Sequence, residues 1–280
     1  MMKFRPFSLN IRGRLVEYGK PVVMGIINYT EDSFFAGSRA GLADIGARAA
    51  AMVEQGADML DLGACSTRPG AAQVDEKTET ERLVSGVRAI RGAVGDMIPV
   101  SVDTYRSGAA RAAIEAGADI VNDISGGDLD PEMFATVASL RVPYIIMHTR
   151  GTPETMQTMT DYADVTTEVV ADLSRKLGRL EEAGVADVIV DPGFGFAKTL
   201  EQNYRMLAEL EHFAILDRPV LVGLSRKSML TRLLGIRTED ALTATAIAGA
   251  LALERGASVL RVHDPREAAQ SIAIINALNA

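Results

Sequence analysis

Glu115-Ala116-Gly117-Ala118-Asp119-Ile120-Val121-Asn122-Asp123 is the phrase that decides the fold. Its first part reads as a helix end, a glycine able to take a left-handed cap, and a short link. Its second part is an apolar run that closes on polar side chains. The phrase recurs at Glu54-Gln55-Gly56-Ala57-Asp58 and Glu254-Arg255-Gly256-Ala257-Ser258, and with one extra residue from Glu182 to Asp187. A second signal alternates with it, a proline opening an apolar run, at Pro21, Pro99, Pro143 and Pro219. Proline is tolerated at the first residue of a strand, where its missing N–H costs least. Together the two signals mark eight strands: Val22–Ile27, Met59–Gly63, Val100–Asp103, Ile120–Asp123, Tyr144–His148, Val188–Asp191, Val220–Gly223 and Val259–His263. Each is nearly continuous in apolar residues, as strands buried on both faces are. Helical stretches lie between them, with apolar stripes at Val169, Leu173, Leu177 and Leu180 and at Ile272, Ile275 and Leu278. Eight strands alternating with helices predict an α/β chain with one parallel (β/α)8 TIM barrel over residues 21–280. Residues 1–20 form an extension before it. There, Phe7 to Val16 are expected to make a β-hairpin turning near Asn10 and Gly13 and capping the barrel floor. A doubly wound open sheet is the alternative; the regular double repeat favours closure.

The length, 280 residues, suits one such barrel. There are 29 Lys and Arg against 37 Asp and Glu, a formal net charge of −8, and no long basic run. That balance argues against nucleic acid as a partner. No stretch of about 18 consecutive apolar residues suggests a membrane span, and Met1 to Asn10 lack the apolar centre of a signal peptide. Cys65, the one cysteine, has no partner for an internal disulfide. The expectation is a soluble cytoplasmic protein acting on small molecules.

In barrels of this kind the chemistry lies where the strands end. The residues closing each apolar run are Asn28; Ser66, Thr67 and Arg68; Asp103; Asn122 and Asp123; His148; Asp191; Ser225, Arg226 and Lys227; and Arg261, His263 and Asp264. All eight strands run into polar side chains. Asp103, Asn122 and Asp191 offer acceptors and an amide, suited to a flat heterocycle with a guanidine-like edge, because a carboxylate accepts two parallel N–H bonds. Arg68, Lys227, Arg261 and His263 are cationic or nearly so, and cations converging in an acidic chain suggest a bound phosphate. Taken singly, Asp103 and Asp191 read equally well as helix caps or ion-pair partners. Two long links, Tyr29 to Leu42 and Ala64 to Glu76, are candidate lids, the other loops being short. His148 reads as a buttress of its strand end, and His212 as a surface residue.

The motifs resemble a known family closely. Met24-Gly25-Ile26-Ile27-Asn28 followed by Thr30-Glu31-Asp32-Ser33-Phe34 resembles the first signature of dihydropteroate synthases, and Ser66-Thr67-Arg68-Pro69-Gly70-Ala71 the second. Ser101-Val102-Asp103-Thr104, Val121-Asn122-Asp123-Ile124, Met147-His148, Asp191-Pro192-Gly193-Phe194-Gly195-Phe196, Ser225-Arg226-Lys227-Ser228 and Arg261-Val262-His263-Asp264 follow in family order. The sequence departs from the family at Tyr29, Glu31, Ala64-Cys65 and Thr149.

The resemblance implies a TIM-barrel transferase of folate biosynthesis, the sulfonamide target. It joins 6-hydroxymethyl-7,8-dihydropterin pyrophosphate to 4-aminobenzoate, releases pyrophosphate, uses Mg²⁺ and works as a homodimer. By the same resemblance Asp103, Asn122, Met147, Asp191, Phe196, Gly223 and Lys227 hold the pterin. Asn28 takes the Mg²⁺, and Arg68, Arg261 and His263, with Asn28, hold the pyrophosphate. Phe34, Thr67, Pro69 and Ser225 shape the aminobenzoate pocket. Asp103, Lys227, Arg261 and Asn28 are the expected catalytic residues, in an S_N1-like path. Among rivals, a methyltetrahydrofolate-dependent methyltransferase shares fold and pterin but needs neither Ser225-Arg226-Lys227 nor the Ser66–Gly70 loop. A Schiff-base aldolase would use Lys227 as nucleophile. A metallohydrolase suits poorly a chain with three histidines and no His-x-His pair. A non-catalytic pterin binder could dispense with the cations.

Overall fold

Each of the four recurring phrases closes a helix by the same pair of hydrogen bonds. The computed structural model describes residues 4–29, 39–64 and 74–279. In it Gly56, Gly117, Gly184 and Gly256 all take positive φ, between 80° and 116°. The N–H of the residue after each glycine reaches back to the carbonyl five residues earlier: Ala57 to Met52, Ala118 to Ala113, Val185 to Leu180 and Ala257 to Ala252, at 2.9–3.0 Å. This is the Schellman stop, which satisfies otherwise orphaned carbonyls and turns the chain toward the sheet. The strand-opening prolines join the ladder through their carbonyls: Pro99, Pro143 and Pro219 accept from Leu60, Val121 and Val190.

The elements follow as expected. A hairpin, β1 (Phe7–Ile11) and β2 (Arg14–Tyr18), precedes β3 (Val22–Asn28), α1 (Arg39–Glu54), β4 (Met59–Gly63), α2 (Glu76–Val94), β5 (Val100–Asp103), α3 (Ser107–Glu115), β6 (Ile120–Asp123) and α4 (Met133–Leu140). Then come β7 (Tyr144–Met147), α5 (Val165–Glu182), β8 (Val188–Asp191), α6 (Leu200–Ala208), β9 (Leu221–Val222), α7 (Ser228–Leu234), α8 (Leu242–Glu254), β10 (Val259–Val262) and α9 (Pro265–Asn279). The eight strands β3 to β10 form one parallel sheet in the order β8-β7-β6-β5-β4-β3-β10-β9. A bridge from Val190 to Val220 brings its two edge strands together. The sheet thus curls into a nearly closed barrel rather than the open alternative.

Strand parity divides the core. Outward residues such as Leu60, Leu62, Val100 and Val102 pack under α1 to α3, and Val121, Ile146, Val188 and Val190 under α4 to α6. Val169, Leu173, Leu177 and Leu180 are all buried on α5, each burial stabilising by about 2 kcal/mol. On α9 Ile272 and Ile275 are buried, but Leu278 is exposed. Inward residues near the strand starts, among them Met24, Met59, Ile120, Ile145, Ile189, Leu221 and Val259, form a floor with Leu9, Ile11 and Tyr18 of the hairpin. The hairpin runs to Tyr18, beyond Val16, and turns on Arg12 and Gly13, both at positive φ. Buried Asp119 fastens that turn, accepting from Arg12 Nε at 2.6 Å, from Arg91 and from the Val100 N–H at 2.8 Å. Residues 148–164 make a further long link, with a 3₁₀ turn at Met156–Thr158. The expectation of short loops elsewhere fails there. The two expected lids fall mostly on residues outside those described. Among the described residues no helix is long and apolar enough to cross a membrane.

Candidate active site

In-register pairing sets the upper rim. Asn28 lies opposite Gly63, Gly63 opposite Asp103, and Asp103 opposite Asn122. A Cβ on Gly63 would stand 3.6 Å from Asn28 Oδ1 and 3.9 Å from Asp103 Oδ2, so these two oxygens share one patch of the rim. One step around, Met147 pairs with Asp191. Across the barrel, Arg261 reaches over from β10. It donates to Asp103 at 2.8 Å and to Asp61 at 2.6 Å. Asn122 Nδ2 donates to the same Asp61 oxygen at 3.0 Å. Asp61 Oδ1 meets no hydrogen-bond donor among the described residues.

Burial sets the ionisation of this wall. It pushes the Asp103 carboxyl up to about 7, against the pull of Arg261 and with the help of Asp61. Burial also raises Asp191, although Lys227 and the Gly193 N–H oppose it; that N–H donates to Asp191 Oδ1 at 2.7 Å. Burial lowers Lys227 to about 8, while Asp191 and Asp103 pull it back up. Lys227 Nζ donates to the Phe194 carbonyl and stands 4.3 Å from the centre of the Phe196 ring. For Arg261 the attraction of Asp61 and Asp103 overcomes burial, so the guanidinium stays charged.

Asp103, Asn122, Asp191, Lys227 and Arg261 therefore face one opening, with buried Met147 beside them. Gly223 is buried too, yet the place where its Cβ would stand is open. A flat ring can approach the backbone there. The guanidinium of Arg261 is engaged by two carboxylates, Asp61 and Asp103. Ser225 Oγ accepts the His263 N–H at 3.2 Å and lies 3.0 Å from His263 Nδ1, so the two strand ends are coupled. Three residues of the strand-end set serve structure instead. Asp123 faces outward and binds Ser125, the Gly127 N–H and Tyr144 Oη. Arg226 and Asp264 pair with each other through two bonds of 3.0 and 2.7 Å. Ser66, Thr67, Arg68, Pro69 and Phe34 lie outside the described residues. Asp61 is the residue the strand-end reading missed. An acid third in the five-residue strand Met59–Gly63 was the available signal, since its parity matches Gly63.

A (β/α)8 barrel with carboxylates, an amide, an arginine and a lysine gathered at its strand ends defines a barrel enzyme with its polar groups at the rim. Residues 24–263 match the family described as pterin binding enzyme. A dihydropteroate synthase of Synechocystis sp. is 41% identical over 98% of this chain and 96% of its own. The Yersinia pestis dihydropteroate synthase, solved with a sulfonamide drug, superposes with a TM-score of 0.90 at 34% identity, covering 98% and 99% of the two chains. That of Xanthomonas albilineans, solved with 4-aminobenzoic acid, gives 0.89 at 36% identity, covering 98% of each. The chain belongs to the pterin-binding enzymes and, within them, to the dihydropteroate synthases. It is a transferase.

Proposed function

We propose that this rim joins 6-hydroxymethyl-7,8-dihydropterin pyrophosphate to 4-aminobenzoate, giving 7,8-dihydropteroate and pyrophosphate. The observation that carries the assignment of roles is the convergence of Asp61, Asp103, Asn122 and Arg261 with Asp191 and Lys227 around one opening. Asp191 and Asn122 read the amino-pyrimidinone edge of the ring, and Lys227 donates to its acceptor side. Met147, Phe196 and Gly223 enclose its faces.

The C–O bond to the exocyclic methylene breaks first, its electron pair leaving with the pyrophosphate. The pterin ring spreads the resulting positive charge, and Asp103 stabilises it from a buried position. The amine of 4-aminobenzoate then forms the new C–N bond and loses a proton to solvent. No strong general base is needed, because the aryl amine is neutral at pH 7. Arg68 and His263, with Arg261, bind phosphate oxygens, and His263 is oriented by Ser225. Thr67, Pro69, Phe34 and Ser225 line the aminobenzoate side, where a sulfonamide would compete.

Mg²⁺ suits the site. It takes one or two protein oxygens and completes its shell with water and substrate phosphates. Asn28 Oδ1, on the same patch of the rim as Asp103 Oδ2, would be such an oxygen. Held there by Asn28, the ion would supply charge neutralisation to the pyrophosphate. A second copy of the chain is the proposed partner, seated on the exposed apolar residues Ile247 and Leu251 of α8 and Ile274 and Leu278 of α9.

Turnover of the pterin pyrophosphate with 4-aminobenzoate, with a magnesium-free control, tests the reading. Lys227→Ala is expected to lower kcat/KM for the pterin substrate by about 10²-fold or more. A near-normal value would remove Lys227 from the site.

A further inference from the structure

Behind the rim a second lysine is held by the backbone of the turn after Asp191 and by His148. Lys198 is 5% exposed. Its ammonium has three N–H bonds and meets three acceptors: the Gly193 carbonyl at 2.9 Å, the Phe196 carbonyl at 3.0 Å and His148 Nδ1 at 3.1 Å. Those carbonyls bracket the turn between Asp191 and α6. Gly193, Gly195 and Ala197 all take positive φ there; for Ala197, which carries a side chain, that conformation needs something to hold it. The same turn presents the Gly193 N–H to Asp191 and the Phe194 carbonyl to Lys227. Lys198 thus ties the two ends of the turn together, while Gly193 and Phe194 tie it to Asp191 and Lys227. His148 is held neutral, pushed down to about 2 by burial and by Lys198, Lys176 and Arg150. Toward a charged Lys198 its Nδ1 acts as the acceptor, with the ring proton on Nε2.

We propose that Lys198 is a positioning residue for pterin recognition: its buried ammonium, braced by His148, fixes the Gly193–Phe196 turn and keeps the Asp191 carboxylate aimed and ionised toward the ring. This inference rests on the reading of Asp191 as a ring-binding group. Two effects act together. The hydrogen bonds set the turn that aims Asp191, and the positive charge opposes the burial that favours protonated Asp191. The charged groups facing Asp191 are Lys227 at the start of α7, Arg261 on β10 and Lys198. Burial lowers Lys198 to about 7; Asp191 and Asp172 on α5 pull it back up, Lys227 and Arg150 in the 148–164 link push it further down, and His148 is in direct contact, so the positive charge is fully present below that pH.

The test is calorimetric affinity for 6-hydroxymethyl-7,8-dihydropterin, which lacks a leaving group, across pH for Lys198→Met, Lys198→Gln, Lys198→Arg and Asp191→Asn, alongside thermal melts. Lys198→Met is expected to bind the ring about tenfold more weakly below about pH 7, where the wild-type lysine is charged, with KM for the pterin substrate changing more than kcat. Its acid limb should move to higher pH, because without the lysine charge Asp191 takes up its proton earlier. Lys198→Arg should return the limb toward that of wild type. Lys198→Gln keeps donors but loses the charge, and reads the limb if the methionine variant does not fold. A lowered melting temperature with an unmoved acid limb in the neutral variants overturns the proposal. Normal ring affinity in Lys198→Met beside a crippled Asp191→Asn sinks this inference alone. Normal affinity in Asp191→Asn sinks the site reading and this inference with it.

Discussion

Arg261 holds two carboxylates, Asp61 and Asp103, on a single guanidinium. Burial, helped by the nearby Asp61 and opposed by Arg261, pushes Asp103 up to about 7. The sign of the pH effect follows. Asp103 must be ionised to stabilise a cation on the methylene, so kcat/KM should rise as pH climbs through about 7 in the free enzyme and fall below it. Asp103→Asn should keep the fold, lose most activity and abolish this limb in what remains. Wild-type activity flat from well below to well above that pH would contradict the assignment. The residues that converge on the rim were legible in sequence because they end their strands. Asp61 was not, because it stands inside its strand, where an apolar context suggests packing. Lys198 was hidden for another reason: a lysine in a loop reads as a solvated surface group until three inward-turned acceptors are seen around it.

Strands and helices were read correctly in kind and nearly in extent, because the helix stops and strand starts are chemical rather than statistical. A glycine at positive φ after Ala116 and a proline before Val100 leave the backbone few options. Strand parity was the step left out. Counting two residues at a time from buried Met59 and Ile120 separates inward Asp61 and Asn122 from outward Asp123, which the strand-end rule had grouped with the site. The 148–164 link escaped because its order comes from long-range contacts. Tyr162 Oη donates to the Ala197 carbonyl at 3.0 Å, and Arg150 stacks over the Tyr162 ring at 3.7 Å. The β8–α6 turn is the most constrained element at the rim. A methyl group on Gly193 would come within 2.0 Å of the His148 carbonyl oxygen, at a φ of +75°. Gly193→Ala is therefore expected to cost more than about 1 kcal/mol of stability and to weaken pterin binding by misplacing the N–H that Asp191 accepts. Thermal melts and ring titration check both; a variant as stable and as tight-binding as wild type would show that the turn tolerates a side chain.

The molecule keeps stability and chemistry at opposite ends. Below, the hairpin, the apolar floor and the Asp119 ion pairs close the barrel; above, polar side chains spend burial energy on recognition. On its flank α8 and α9 leave Ile247, Leu251, Ile274 and Leu278 exposed together, an apolar area suited to a second copy. Sedimentation of the wild type is expected to give two copies, and Ile247→Glu with Leu251→Glu to give one; a monomeric wild type would refute the dimer. The rim is the central claim, and a crystal structure with 6-hydroxymethyl-7,8-dihydropterin bound tests it most directly. The ring should lie within hydrogen-bond distance of Asn122, Asp191 and Lys227, with Arg261 and Asp103 beside it. A ring bound outside the barrel mouth, or at its floor, would contradict the account.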